Sequence, residues 1–322
     1  MKDNLFSIVM YGARQCNGIC AYCCSRASNN INKEKDNIII DEGALVTAIR
    51  KHPRRIDRFQ LWGTEPLLHL KEFKHLVDIL HKHWPDKQIQ SSTNGTLLCD
   101  KDIADYLIEN NIRMQFSHDG PAQHLRTPFD PATNENVIRL AKKRLLFINT
   151  VTHEFNKDVK AIIDYWDNWK KTYDIPDINI RISIPMMGDN GVFEIKDLDD
   201  YFAQLDKYWN HPYLWHIRLK AEKYNIKAGM TGCKAFARGL KSWSSQIDTL
   251  GRYTKCNLLD SSQEPSNPKG TTMAQCYKCK YKNSDVCNTC VSLPHNYNCN
   301  YLYRLNEFLE AKHKLIEQEN NK

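Results

Sequence analysis

The sequence predicts an α/β protein: a partial, TIM-like (β/α)6 barrel followed by a smaller cysteine-rich domain. Three observations lead there. Six short β-rich runs alternate with helical patterns over the first two-thirds of the 322 residues. Near Gly229 the character changes, as cysteine, glycine and polar residues take over and helical periodicity fades. The twelve cysteines also avoid the middle of the chain: four lie between Cys16 and Cys24, one is Cys99, and seven fall between Cys233 and Cys299.

The strand candidates are residues 5–11, 58–62, 89–93, 114–117, 147–152 and 178–184. Helical spacing lies between them, for example over 70–83, 101–110 and 159–170. Alternation of this kind builds βα units on a parallel sheet, and in such barrels the active site sits at the C-terminal ends of the strands. Residues 199–224 read as one helix bridging to the second domain, and 261–272 (SSQEPSNPKGTT) read as a loop. Helical spacing returns over 301–318, with Leu302, Leu305, Phe308, Leu309 and Leu315 on the apolar side. The expected division is 1–215 for the barrel and 216–322 for the cysteine-rich domain with its terminal helix.

No stretch is long and apolar enough to span a bilayer, and the first residues carry no signal-peptide pattern. The expectation is a cytoplasmic protein with no membrane partner. Disulfides are disfavoured in that compartment, so clustered cysteines point to metal or redox chemistry. The net charge of +7 is spread out, with local clusters at 51–55 (KHPRR) and 142–144 (KKR). Solvated helix faces account for these, and an acidic partner such as a nucleic acid is the alternative.

The first cysteine cluster reads Cys16-Asn-Gly-Ile-Cys20-Ala-Tyr-Cys23-Cys24. Three thiolates from one loop can hold a [4Fe–4S] cluster that otherwise takes four, which leaves one iron open to a substrate or cofactor. The competing reading is zinc, closed by Cys24, although adjacent cysteines do not easily face one metal. The C-x3-C-x2-C spacing with Tyr22 before the last cysteine resembles the signature of the radical S-adenosylmethionine (SAM) superfamily. The resemblance implies that SAM chelates the open iron and is cleaved to a 5′-deoxyadenosyl radical that abstracts hydrogen, with Tyr22 near the adenine. Three further strand-end segments extend it. Gly63-Thr64-Glu65-Pro66 is similar to the family's GGEP motif at the SAM amino group, with Thr64 replacing the second glycine. Thr93-Asn94, within Ser92–Thr96, resembles the segment near the ribose. Ser117-His118-Asp119-Gly120-Pro121 is similar to the SxDGP segment, whose serine meets the SAM carboxylate, joined here by Arg126 at a shorter spacing.

The tail contains Cys233, then Gly251 four residues before Cys256, then Cys276-x2-Cys279, Cys287-x2-Cys290 and Cys299. Two C-x2-C pairs also fit a zinc ribbon, which would leave three cysteines over. From about Gly229 to Tyr303 the region resembles a SPASM domain, which carries auxiliary iron–sulfur clusters. The resemblance implies one or two auxiliary [4Fe–4S] clusters. Cys276, Cys279, Cys287 and Cys299 would close one. Cys233, Cys256 and Cys290 would hold the other through three thiolates, leaving an open or non-cysteine position. Cys24 and Cys99 are left as small buried hydrophobes.

The barrel segments look most like anaerobic sulfatase-maturating enzymes and ribosomal-peptide maturases. That branch implies a peptide or protein substrate and an electron donor such as flavodoxin or ferredoxin. Sulfatase-maturating enzymes place an aspartate directly after the Gly-x4-Cys cysteine, whereas this chain has Asn257, which cannot act as a base. With the cluster loop starting at residue 16, no leader-binding domain is expected before the barrel. His118, His124, Arg181 and Asp189 are expected near the barrel mouth. The competing functions are modification of a nucleic acid or a small molecule such as an amino acid or sugar, and a non-catalytic zinc-binding module.

Overall fold

The structure is a computed structural model. It describes residues 5–20, 22–23, 37–53, 55–183, 193–222, 224, 246–252 and 299–320, excluding the side chains of Gln246 and of 299–302. The cysteines at 24, 233, 256, 276, 279, 287 and 290, with Asp189, Asn257 and the 261–272 segment, lie outside these residues, as does the side chain of Cys299. The expectations placed on the tail cysteines therefore stay with the sequence.

Seven strands form one sheet in the order β6-β5-β4-β3-β2-β1-β7, and every neighbouring pair is parallel. They are β1 (Leu5–Val9), β2 (Arg58–Trp62), β3 (Gln88–Thr93), β4 (Arg113–Ser117), β5 (Leu146–Val151), β6 (Ile180–Ser183) and β7 (Gln246–Asp248). From β1 to β6 each strand lies beside the next in sequence. Right-handed crossovers that always step the same way place their helices on one face of the sheet, which is the arrangement of an open, partial barrel. The helices are α1 (Glu42–Arg50), α2 (Leu70–His83), α3 (Lys101–Glu109), α4 (Glu135–Lys142), α5 (Val159–Tyr173), α6 (Leu198–Lys207), α7 (Trp215–Glu222) and α8 (Cys299–Asn320).

Alternation along each strand separates two faces. Phe6, Ile8, Phe59, Leu61, Ile89, Met114, Phe116, Leu146, Ile148, Ile180 and Ile182 are buried and join the helices' apolar residues in one continuous core. The other face is polar: Ser7, Gln90, Ser92, Gln115, Ser117, Arg181 and Ser183 are half-buried, and Gln60 and Asn149 buried, along the concave side. Hydrogen bonds cross this lining, from Gln90 to Gln60 and from Trp62 Nε1 to Ser7 Oγ (3.3 Å).

Helix starts follow local chemistry. Asp41, Asp100, Asn134, Asp158 and Asp197 each accept a backbone N–H of the first turn of α1, α3, α4, α5 and α6. The six expected strands are present, with two differences elsewhere. Residues 199–224 are two helices, α6 and α7, separated by a 3-10 turn at Pro212–Leu214, because proline disfavours helical geometry in the residue before it. β7 is a seventh strand, within the segment expected to belong to the second domain, and it pairs with Ser7–Val9 of β1. It ends in a tight turn where Gly251, at φ +72°, lies against α1. A Cβ there would sit 2.6 Å from the Ala44 carbonyl oxygen. The last helix, α8, buries Leu305 and Leu309 and packs on α7 and α6. Its Asn306 accepts a hydrogen bond from the Tyr224 hydroxyl at 2.9 Å. No helix among the described residues is long and apolar enough to cross a membrane.

Candidate active site

The loops leaving the C-terminal ends of β1 to β5 converge at one rim of the sheet. The loop after β1 carries Cys16, Cys20 and Cys23, all free thiols. It is pinned from several sides. The backbone N–H groups of Thr64 and Glu65 donate to the carbonyls of Ala13 (3.0 Å) and Gln15 (3.1 Å), and Ile19 N donates to the Arg126 carbonyl (2.9 Å). Gly63 permits the close approach: a Cβ there would meet Ala13 Cβ at 3.1 Å.

The surroundings of Cys16 suit an electron-rich sulfur. Gly18 N lies 3.3 Å and Asn94 Nδ2 3.7 Å from its Sγ. A Cβ on Gly18 would fall 3.4 Å from Cys16 Sγ and 3.6 Å from Cys20 Sγ, at ordinary contact distance, so this residue lies beside both sulfurs. Burial pushes the Cys16 thiol up to about 11, despite the opposing Gly18 and Asn94 hydrogen bonds, and pushes Cys20 up as well. Thiols of this kind become thiolates when a metal replaces the proton. Among the described residues no three His, Cys, Asp or Glu side chains are grouped as the ligands of a single metal ion. A cluster offers a separate iron to each thiolate, so its ligands need not converge. The loop therefore fits a three-cysteine iron–sulfur cluster.

Glu65 organises the next two loops. Its buried carboxylate accepts from Thr93 Oγ1 (2.9 Å), Asn94 N (2.7 Å) and Leu67 N (3.4 Å). Desolvation raises its pKa to about 7, against the pull of those hydrogen bonds. Asn94, fixed by this contact, donates to Asn17 Oδ1 (2.7 Å), and Asn17 donates to Thr96 Oγ1 (2.7 Å). Gly95 turns the chain at φ +88°, where a Cβ would land 2.0 Å from a ring carbon of Phe116.

A second buried knot lies beside Cys20. The Tyr22 hydroxyl donates to Asp119, and Arg126 Nη1 reaches the Tyr22 oxygen at 2.7 Å and Asp119 at 3.5 Å. The Tyr22 ring packs on His153 at 4.7 Å and on Phe193 at 5.4 Å. Asp119 is fully buried. Desolvation would raise its pKa, but the charge of Arg126 and the approach of His153 and Tyr22 outweigh it and hold it low. Asp119 Oδ1 also accepts from Val151 N (3.1 Å), tying the loop after β4 to the end of β5.

The structure thus brings Cys16, Cys20, Cys23, Tyr22, Gly63, Thr64, Glu65, Pro66, Thr93, Asn94 and Arg126 to one rim, with Ser117 at the end of β4. His118 is not a mouth residue. It is fully buried, its Nδ1 accepts from Gly120 N (2.9 Å), and its Nε2–H donates to Asp130 (2.7 Å). His124 is exposed. The sequence reading missed the roles of Asn17, Asp119 and His153. Asp119 stands inside the segment singled out after β4, and His153 lies just past β5, so position was the available signal. Cys99 is half-buried against the core, and burial raises its thiol to about 11.

The profile of the radical SAM superfamily matches residues 10–172, a span that contains every one of these loops. The fold is shared with solved structures of anSMEcpe, an anaerobic sulfatase-maturating enzyme. Native anSMEcpe with bound AdoMet aligns at a TM-score of 0.61 and 20% identity, covering 99% of this chain and 100% of that one. Native anSMEcpe with bound AdoMet and the Cp18Cys peptide aligns at 0.60 and 18%, covering 98% and 99%. No curated protein matches the sequence.

Proposed function

This chain belongs to the radical SAM superfamily, and from that premise we propose that it modifies a peptide or protein side chain by hydrogen abstraction, through oxidation, crosslinking or epimerisation. Membership implies a [4Fe–4S] cluster and SAM, and sets aside the non-catalytic zinc module. When bound, they supply a one-electron cleavage of SAM to methionine and the 5′-deoxyadenosyl radical, which takes a hydrogen atom to become 5′-deoxyadenosine.

The observation that carries this reading is the Cys16–Cys23 loop. Its three thiols sit at the barrel mouth, with Gly18 N and Asn94 Nδ2 directed at Cys16 and the Gly63–Pro66 turn bonded to its backbone. Cys16, Cys20 and Cys23 hold the cluster. Gly63, Thr64, Glu65 and Pro66 shape the amino-group subsite, and Thr93 and Asn94 the ribose subsite. Ser117 meets the SAM carboxylate. Arg126, whose Nη1 is taken by Tyr22, keeps Nε without a hydrogen-bond partner, which suits it to assist there. The polar lining of the barrel, most of it half-buried, gives a substrate segment hydrogen-bonding walls. A fold relative solved with AdoMet and a peptide supports a polypeptide substrate.

In this reading residues 1–215, joined at the sheet edge by β7, form the barrel, and 216–322 outside β7 carry one or two auxiliary clusters. Electrons come from a small donor protein such as flavodoxin or ferredoxin. The test is anaerobic reconstitution with iron and sulfide, then SAM and dithionite. Formation of 5′-deoxyadenosine is expected in the wild type and not in a Cys16/Cys20/Cys23→Ala variant. Its absence from the reconstituted wild type overturns the catalytic reading.

A further inference from the structure

The polar face of the barrel carries a cation that the cluster and SAM loops do not use. Arg181 projects from β6 on the concave side and pairs in register with Asn149, which in turn faces Ser117. It therefore lies on the same ladder level as the end of β4, just inside the rim. Its Nε donates to Asn149 Oδ1 at 2.7 Å, the same oxygen accepts from Ser183 Oγ at 2.6 Å, and its guanidinium lies 5.0 Å from the centre of the Phe147 ring. These contacts fix the guanidinium plane and spend only one of its five N–H donors. Among the described residues its two amino groups have no hydrogen-bond partner, and the side chain is half-buried rather than sealed.

Helix α7 packs against β6, the edge strand. Ile217 and Ala221 face the core, which puts His216 and Lys220, one position earlier and also four apart, on the adjoining face. Both feel the charge of Arg181. Lys220 remains accessible to solvent, while surrounding protein and Arg181 pull its ammonium below its usual value. Burial, with Arg181 and Lys220, lowers His216 to about 4, so it is neutral at pH 7. Among the described residues no carboxylate offsets any of the three. Arg181 is half-buried and Lys220 exposed, so the pair is open to an anionic group from outside, which would give the guanidinium a charged partner.

We propose that Arg181 and Lys220, with His216 beside them, form a carboxylate-binding site on the barrel wall that seats an acidic side chain or C-terminus of the polypeptide substrate. This rests on the peptide-modification reading. The flat guanidinium fork, already held in plane, matches a carboxylate in bidentate fashion, and Lys220 adds a mobile point charge.

The test compares two capped tripeptides, Ac-Ala-Glu-Ala-NH2 and Ac-Ala-Gln-Ala-NH2, by calorimetric titration of the reconstituted, SAM-loaded enzyme at low ionic strength. The acidic peptide is expected to bind about tenfold more tightly, the ratio that charge-assisted hydrogen bonds give. Arg181→Gln and Lys220→Gln should each bring the ratio close to one. Lys220 is on an accessible helix face, so its variant probes the site without threatening the fold, and Arg181→Lys should retain only part of the preference. Equal binding of the two peptides to the wild type, or a preference that survives both neutral variants, overturns the proposal. So does displacement of SAM by the acidic peptide, which would assign the cations to the SAM carboxylate, or inorganic phosphate binding more tightly than the acidic peptide. Measuring 5′-deoxyadenosine on the same samples separates the two readings: cleavage with no peptide preference sinks this site alone, and no cleavage sinks the enzymatic reading.

Discussion

Replacing Glu65 with glutamine should change how stability depends on pH. The buried carboxyl titrates near 7 in the folded chain and at 4.5 when unfolded. Between these values the folded state binds more protons than the unfolded state, so the Glu65 contribution to stability is fully present below pH 4.5 and is lost as pH rises to about 7. At about 1.4 kcal/mol per pH unit, the loss from pH 5.5 to 7 amounts to about 2 kcal/mol. Glu65→Gln removes this dependence and adds a fixed penalty. All three partners of the carboxylate are donors, namely Thr93 Oγ1, Asn94 N and Leu67 N, and the NH2 of an amide cannot accept from any of them. One unsatisfied buried group costs about 1–3 kcal/mol. Anaerobic urea unfolding of both proteins at pH 5.5 and pH 8 measures the gap between them. The wild type should be the more stable by about 2 kcal/mol more at pH 5.5 than at pH 8. A gap that is the same at both pH values refutes the reasoning.

Two further outcomes follow from the same rim. Gly95→Ala should lower stability by about 3 kcal/mol, because it combines a left-handed backbone with overpacking against Phe116; denaturant unfolding checks it. Asp119→Asn leaves the buried Arg126 without its counter-charge and should cost about 3–5 kcal/mol at pH 7. Since Asp119 is held below its ordinary value, its contribution is present above pH 4 and lost as pH falls further, so the two unfolding curves should draw together in acid.

Local signals explain what was legible in the sequence. The six strands β1 to β6 are short runs that put apolar residues on one face and mostly polar ones on the other, and the rim motifs are turns whose geometry is written in their Gly, Pro and Asn residues. Gly95 and Gly251 sit at positive φ where the turns demand it. β7 was not legible because it has three residues, and its place is set by pairing with Ser7–Val9, more than two hundred positions away. His118 drew attention as a histidine at a strand end. Its partner Asp130 is twelve residues on, and nothing local says that its ring points into the core. The pairing of Tyr22 with Asp119 and Arg126 likewise spans about a hundred residues. Arg181 was expected near the mouth on position alone, while α7, which brings Lys220 and His216 beside it, read as part of one longer helix.

The central claim is that Cys16, Cys20 and Cys23 hold a cluster whose open iron takes SAM. The direct measurement is electron paramagnetic resonance of the anaerobically reconstituted, dithionite-reduced protein, before and after SAM is added. The wild type should show a reduced [4Fe–4S] signal that shifts on SAM addition. The Cys16/Cys20/Cys23→Ala variant should lack the shifting component while any auxiliary-cluster signal persists. A wild-type spectrum that SAM leaves unchanged, or a shift that survives in the variant, would contradict the account.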